Sequence, residues 1–298
     1  MSAQQSLTEY NFLRLPVSAH AAALGGDNIT IIEDDATLIF NNPALLSSVS
    51  DKTINLNYMN YMDGVNTASA SFSKVVDDRA TWAVSAQYID YGTMKEVDEY
   101  NIVTGEFSAK DMAFAGYFAY LLTDRIAGGI TAKAILSYLG DYNSIGVGVD
   151  LGLNYYDEEH DWSLSIVAKN LGGQVKAYDD NYERMPIDVQ LGTTKRFANM
   201  PFRISATLVD LNHWGYTFLN HVVAGVDIIL SDNIWVGGGY NFRRADEMKI
   251  SDDDGESSHG AGWSLGAGLN LERFKVNLAY GKYHVSASSL LINLAYSL

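Results

Sequence analysis

The chain has 298 residues, with 20 Lys+Arg against 36 Asp+Glu for a net charge of −16, and only 19 % of it is charged. That little charge beside 12 % aromatic residues excludes a disordered or coiled-coil protein, and the acidic balance argues against nucleic acid as a partner. There is no cysteine, hence no disulfide frame and no thiolate ligand, and a mean hydropathy of −0.05 with no apolar run of ~18 residues excludes a helical membrane protein but not a membrane β-barrel, whose alternating faces average out.

Residues 1–52 differ from the rest. Met1 to Gln5 lack an apolar stretch and read as the remnant of a small-residue cleavage site behind a start Met, the signal peptide having been removed. Ser18 to Leu24 is Ala-rich and of high helix propensity, and Gly25-Gly26 ends it. Ile29 to Ile32 reads as a short strand, and Asp34-Asp35 suit the amino end of a helix. Asn42, ahead of Pro43, is pushed to an extended conformation with a turn or helix start beyond. Such a segment is too apolar to hang free.

From Thr53 onward the period is 2. Strands are expected over 53–61, 65–75, 80–90, 108–121, 126–138, 142–156, 161–170, 186–197, 201–210, 220–230, 233–243, 262–271, 274–283 and 288–298. These are about fourteen strands, many near the ~9–11 residues that cross a bilayer at a tilt. Taken alternately, one set of connections is short, and the other holds every long loop: 91–107, 171–185, 211–219 and 244–261. Short turns at one end with long loops at the other mark an outer-membrane barrel; a soluble sandwich has no reason to sort its loops so. The expected fold is all-β, an antiparallel transmembrane barrel over 53–298 with residues 1–52 as a luminal plug. A barrel of ~14 strands is too wide for its own side chains to fill, which gives the plug its place.

One strand face carries bulky residues, among them Val147, Val149, Leu151, Leu153 and Tyr155; the other carries Gly146, Gly148, Asp150, Gly152 and Asn154. The polar face also places Asp111, Lys133, Lys169, Asp188, Arg196, Arg203 and Asp227 toward the lumen, because a charge in a spanning strand faces away from lipid. Their mixed signs point to internal ion pairs. Aromatic pairs at strand ends (Tyr58 and Tyr61, Tyr88 and Tyr91, Tyr117 and Tyr120, Tyr155 and Tyr156, Trp214 and Tyr216, Tyr280 and Tyr283) read as interfacial girdles.

Asn11-Phe12-Leu13-Arg14-Leu15-Pro16-Val17-Ser18-Ala19-His20 and Ala23-Leu24-Gly25-Gly26, followed by Asp34-Asp35 and Asn42-Pro43-Ala44-Leu45-Leu46, resemble the amino end of the PorQ family. These are outer-membrane components of the type IX secretion system of Bacteroidetes. The motif covers about the first fifty residues; the strand count and plug look like the wider FadL-like barrel superfamily. His20 departs from the family, where Arg is expected. The resemblance implies plug residues Pro16, Ser18, His20, Gly25, Gly26, Asn42 and Pro43. It also implies a non-enzymatic anchor for a surface-exposed PorZ-like subunit beside PorU and PorV, in a complex that trims cargo and joins it to lipopolysaccharide. The partner loops would be those bearing Glu96, Asp98 and Glu99; Tyr178, Asp179 and Asp180; Trp214; and Asp252, Asp253 and Asp254.

No catalytic signature appears: no Gly-x-Ser-x-Gly, P-loop or His-Glu-x-x-His, and no two of the 6 His stand at a ligand spacing. Ser251 to Glu256 lacks the ligand spacing of a calcium loop and reads as a solvated acidic loop. No cofactor and no metal are expected. The competing function is a FadL-like transporter of hydrophobic or small solutes; a fatty-acid path would need an apolar pocket.

Overall fold

The alternation that starts at Thr53 closes on itself. The computed structural model describes residues 8–298 except positions 63, 101, 180, 199, 249, 253, 254, 258, 259 and 284–286. The wall consists of β1 (Thr53–Met62), β2 (Val65–Val75), β3 (Ala80–Val97), β4 (Val103–Thr123), β5 (Ile126–Leu139), β6 (Tyr142–Asp157) and β7 (Trp162–Lys176). It continues through β8 (Asp188–Arg196), β9 (Phe202–Leu208), β10 (Val222–Ser231) and β11 (Ile234–Asn241). A small hairpin, β12 (Ile250–Asp252) with β13 (Gly255–Ser257), interrupts the order before β14 (Trp263–Asn270), β15 (Phe274–Gly281) and β16 (Ser289–Ser297). Each wall strand pairs antiparallel with its neighbours, and β1 pairs with β16 in the register Thr53↔Ser297 to Asn60↔Leu290. The result is a closed antiparallel barrel of fourteen strands with no free edge.

Face sorting follows the sequence. In β6, Val147, Leu151 and Leu153 are 46–48 % exposed, whereas Ser144, Asp150 and Asn154 are buried. Leu56, Val84, Phe114, Ile130, Ile166, Ile204 and Leu294 continue the exposed apolar belt, and Asn55, Ser85, Thr131, Ser165, Ser205 and Asn293 line the opposite face. An uninterrupted outer belt of this size stays out of water only in a lipid bilayer.

Several expected boundaries shift. Most of 91–107 is strand: β3 and β4 run on as a hairpin to the pair Val97↔Val103, after a bulge between Asp90 and Thr93 where Gly92 has φ 77°. Part of 171–185 also belongs to β7. The expected strand 233–243 ends at Asn241, whose side chain caps α2 (Phe242–Glu247) by accepting from Arg244 N–H. The girdle is halved, because residues three apart on a strand face opposite ways. Tyr58, Tyr120 and Tyr280 are exposed, whereas the Tyr117 hydroxyl meets Ser85 in the interior and Tyr91 donates to Asp111.

The amino-terminal segment packs on the inner faces of strands on opposite sides of the barrel. Ser18 Oγ accepts from Ala21 N–H and starts α1 (Ala19–Ala23), which lies on β11, β14, β15 and β16. Gly25 and Gly26, at φ 105° and 107°, end it in a conformation that side chains disfavour. Ile29 to Ile32 form no strand: Asn28 Oδ1 accepts from the N–H of Thr30 and Ile31 and bends the chain instead. Asp35 caps a 3-10 turn over Ala36–Phe40, and Asn42 (φ −148°, ψ 115°) opens another over Pro43–Ser48, packed on β3 to β6. There the wall has glycine because nothing larger fits. A Cβ on Gly152 would stand 2.1 Å from Asn42 Oδ1, and one on Gly239 2.2 Å from the Leu24 carbonyl carbon.

Candidate functional site in the barrel lumen

Polar chemistry concentrates at the seam between this segment and the wall. His20, fully buried on α1, faces a carboxylate from each ring nitrogen: Nδ1 lies 2.9 Å from Glu33 Oε2 and Nε2 3.0 Å from Asp227 Oδ1. Carboxylates at both nitrogens call for an N–H at each, so the ring is the imidazolium. Arg203 bonds both acids as well, Glu33 at 2.7 Å and Asp227 at 2.8 Å. The four groups therefore balance, two cations against two anions. Arg203 Nη2 also lies 3.2 Å from His20 Nε2, an approach of like charges made tolerable by the Asp227 carboxylate they share.

A second group sits on a bulge in β7. Val149↔Leu171 and Leu151↔Ala168 leave Lys169 and Asn170 opposite Asp150, with Asn170 at φ 58°. The extra residue turns two consecutive side chains inward. Lys133 Nζ bonds Asp150 at 2.7 Å and Asn170 Oδ1 at 2.7 Å, and Asn170 N–H donates to Asp150 Oδ1. Lys169 is left facing the segment.

Toward the long-loop end, Asp210 binds Arg243 and, at 2.8 Å, His213. Burial alone would raise the Asp210 carboxyl, but His213 and Arg243 hold it below the usual carboxylate range. The Arg244 guanidinium lies 4.2 Å from the centre of the Tyr283 ring. Between segment and wall are two adjoining cavities. One of about 30 Å³ touches Lys133, Asp150 and Tyr117; the other, about 200 Å³, reaches Asn241, Arg243 and Arg244. Arg14, Pro16, Gly26, Asp27 and Lys169 line both. A larger groove on the outside, between Ile54, Phe72, Val84 and Phe114, belongs to the lipid-facing belt.

The structure gathers Lys133, Asp150, Lys169, Asp188, Arg203 and Asp227 on the inner face, along with Pro16, Ser18, His20, Gly25, Gly26, Asn42 and Pro43 of the segment. Arg196 does not join them: it ends β8 at the rim, exposed, 3.9 Å from Asp161. Of the expected partner loops, Glu96 lies in β3, Asp98 caps the hairpin turn by accepting from Tyr100 and Ile102 N–H, and Glu99 follows it. The Tyr178 hydroxyl is turned back onto Ser137, whereas Asp179 and Trp214 are exposed. Asp252 ends β12; Asp180, Asp253 and Asp254 lie outside the described residues.

Glu33, Asp27, Arg14, Arg244 and Trp235 were not singled out from the sequence. Only Trp235 left a signal, an indole in register with Gly237 and Gly239 on the polar face. Asp157, Glu159 and His160 bring ligand atoms within 4.8 Å of one another at the β6–β7 turn. Arg125 already pairs with both acids and His160 Nδ1 with Asp157, so charge pairing accounts for the cluster.

Closed antiparallel wall, apolar belt and polar lumen together define a transmembrane β-barrel. No family model and no curated protein match the chain. Solved structures do. The chain is similar to the Pseudomonas putida toluene transporter TodX at a TM-score of 0.62 and 12 % identity, covering 96 % of this chain and 99 % of that one. It is also similar to the monoaromatic hydrocarbon channel CymD (0.60, 12 %, covering 96 % and 98 %). A Pseudomonas aeruginosa FadL homologue is a third (0.55, 10 %, covering 95 % and 98 %). At these identities the likeness is one of fold.

Proposed function

We propose that this protein is a non-enzymatic, FadL-like barrel of the bacterial outer membrane that lets a small polar solute cross along the seam between the amino-terminal segment and the wall. The observation that carries this reading is the pair of adjoining cavities that share Arg14, Asp27 and Lys169, the larger reaching the long-loop end. Two of the fold neighbours, TodX and CymD, are named for hydrocarbons, but charged groups line this seam where a hydrocarbon would need apolar walls. Passage requires the segment to shift, and the Oγ1 atoms of Thr30 and Thr194, 2.6 Å apart, mark where to lock it. In this cysteine-free chain, Thr30→Cys with Thr194→Cys places two sulfurs within bonding reach. Liposomes holding the double variant should swell in arabinose when it is reduced and much more slowly when it is oxidised. No swelling in either state overturns the reading.

A second reading, the surface anchor that the amino-terminal resemblance implies, is favoured by the β3–β4 hairpin. Its far end exposes Val97, Tyr100, Ile102 and Val103 beside Glu96, Asp98 and Glu99. A PorZ-like subunit that co-purifies from native outer membrane, and is lost when residues 94–106 are replaced by a short turn, would establish it. Retention of that subunit by the shortened protein would remove it.

A further inference from the structure

At the seam, acids and bases are treated differently. Asp188 accepts from Gln190 Nε2 at 2.7 Å and from the backbone N–H of Asp210 at 2.7 Å. Asp27 accepts from Gln190 Nε2 and Asn241 Nδ2, each at 3.4 Å. Asp150 is bonded to Lys133 and to Asn170 N–H. The acids facing both cavities therefore already have donors, several of them neutral amides that neutralise nothing.

Lys133 and Arg243 are paired with acids, but the other three bases lack acceptors in whole or in part. The side chain of Lys169, a residue 9 % exposed, makes no hydrogen bond or ion pair among the described residues although it lines both cavities, and the same holds for the side chain of the more exposed Arg14. Arg244 gives one Nη2 hydrogen to the Gly262 carbonyl, but among the described residues its buried Nε has no partner, and neither has the Tyr283 hydroxyl beside it. An ammonium or guanidinium only donates. A buried one without an acceptor is costly, by an amount that a bound anion would recover. Strand parity already points Lys169 at this space, and the β7 bulge turns Asn170 inward as well, where it takes up Lys133 and Asp150 rather than Lys169.

We propose that the seam is a binding site for a small solute carrying an oxyanion, a carboxylate or phosphate group, whose oxygens accept from Lys169 and Arg14 with Arg244 and Tyr283 as further donors. The inference rests on the solute-passage reading and names its substrate class. The cavity of about 200 Å³ keeps the ligand small. Fixed acids alongside confine the anion to the basic positions and make its binding weak enough for release.

The test uses the full chain. In detergent, inorganic phosphate and acetate are titrated calorimetrically against the unmodified protein, Lys169→Met, Arg14→Gln and, as a control, Lys74→Gln at the exposed end of β2. In planar bilayers, reversal potentials are read under a KCl gradient for the same set. Binding of at least one anion is expected, weakened about tenfold by Lys169→Met, a loss of ~1.4 kcal/mol, and untouched by Lys74→Gln. The reversal potential should show anion preference that Lys169→Met abolishes. If Lys169→Met does not fold, Arg14→Gln carries the test, since its side chain is the more exposed of the two. Equal binding by Lys169→Met and the unmodified chain, or a cation preference, overturns the proposal. Passage without anion preference overturns it and leaves solute passage standing. Lysine-dependent phosphate binding without arabinose passage does the reverse.

Discussion

The His20 imidazole lies flat on the Trp235 indole, ring centroids 3.6 Å apart and planes 5° from parallel. One ring belongs to the amino-terminal segment and the other to β11, so the stack holds the segment to the wall while both ring nitrogens stay free to meet Glu33 and Asp227. A protonated ring over indole also gains from the quadrupole of the aromatic face. His20→Ala removes stack and charge at once and leaves three groups with one cation between two acids. The expected cost is about 3–5 kcal/mol, the range for breaking a buried pair. Urea unfolding in detergent reads the loss, and proteolysis should release the segment before the wall unfolds.

Glycines facing the segment set how close it comes. Gly152→Leu must displace Asn42, whose Oδ1 would lie 2.1 Å from the new Cβ, and with it the cap of the Pro43–Ser48 turn. Gly116, in β4, has nothing within 4 Å of the position a Cβ would take. Gly116→Ala should therefore change stability by less than about 0.5 kcal/mol. Gly152→Leu should leave a folded barrel with a segment open to protease. A protected segment in Gly152→Leu would show that the wall can widen there.

The clamp between the long loops responds to pH. The Asp210 carboxyl is held below its ordinary value in the folded chain, against the pull of burial, by His213 and Arg243. A depressed carboxyl stabilises the fold above the unfolded value of about 3.9 and loses that contribution as pH falls through its own lower value. Amide protection of Val209, whose N–H donates to the His221 carbonyl, should thus hold near neutrality and fade in acid. Asp210→Asn, which tolerates the φ of 55° at this position, should remove the pH dependence and lower protection at neutral pH. An acid-induced loss that persists in Asp210→Asn would place the sensitive group elsewhere.

Much of this was legible in the sequence because a bilayer enforces it. A spanning strand sees lipid on one side and lumen on the other, so Leu151 and Asp150 sort by parity alone. That constraint lapses where the wall leaves the membrane. The hairpin beyond Gly92 has water on both faces, and residues 91–107 accordingly read as loop although β3 and β4 continue through them. Arg196 has luminal parity but ends its strand, so its side chain escapes to solvent. The helix of Phe242–Glu247 is too short to show a period. The seam was half visible. Lys169, Arg203 and Asp227 stood out as charges in strands, but Glu33, which Arg203 binds, and Asp27, which lines the same cavities as Lys169, lie in the irregular segment, where no period reports which way a side chain points. The Ile29 to Ile32 stretch misled for a related reason, since Asn28 satisfies its backbone locally.

Adjacent residues of β6 give the sharpest test of the two-faced wall. Leu151, near mid-strand and 46 % exposed on the belt, should cost about 2–4 kcal/mol when changed to Arg, the depth-dependent penalty of a cation in the hydrocarbon. The penalty should appear in refolding into lipid vesicles and shrink in detergent micelles, which deform around the charge. Asp150→Asn, one residue away, should behave the other way. It strips Lys133 of its only carboxylate within 4 Å among the described residues, and the loss should be the same in vesicles and micelles because lipid never touches the site. If Leu151→Arg proved no more sensitive to lipid than Asp150→Asn, the apolar belt would not face a bilayer.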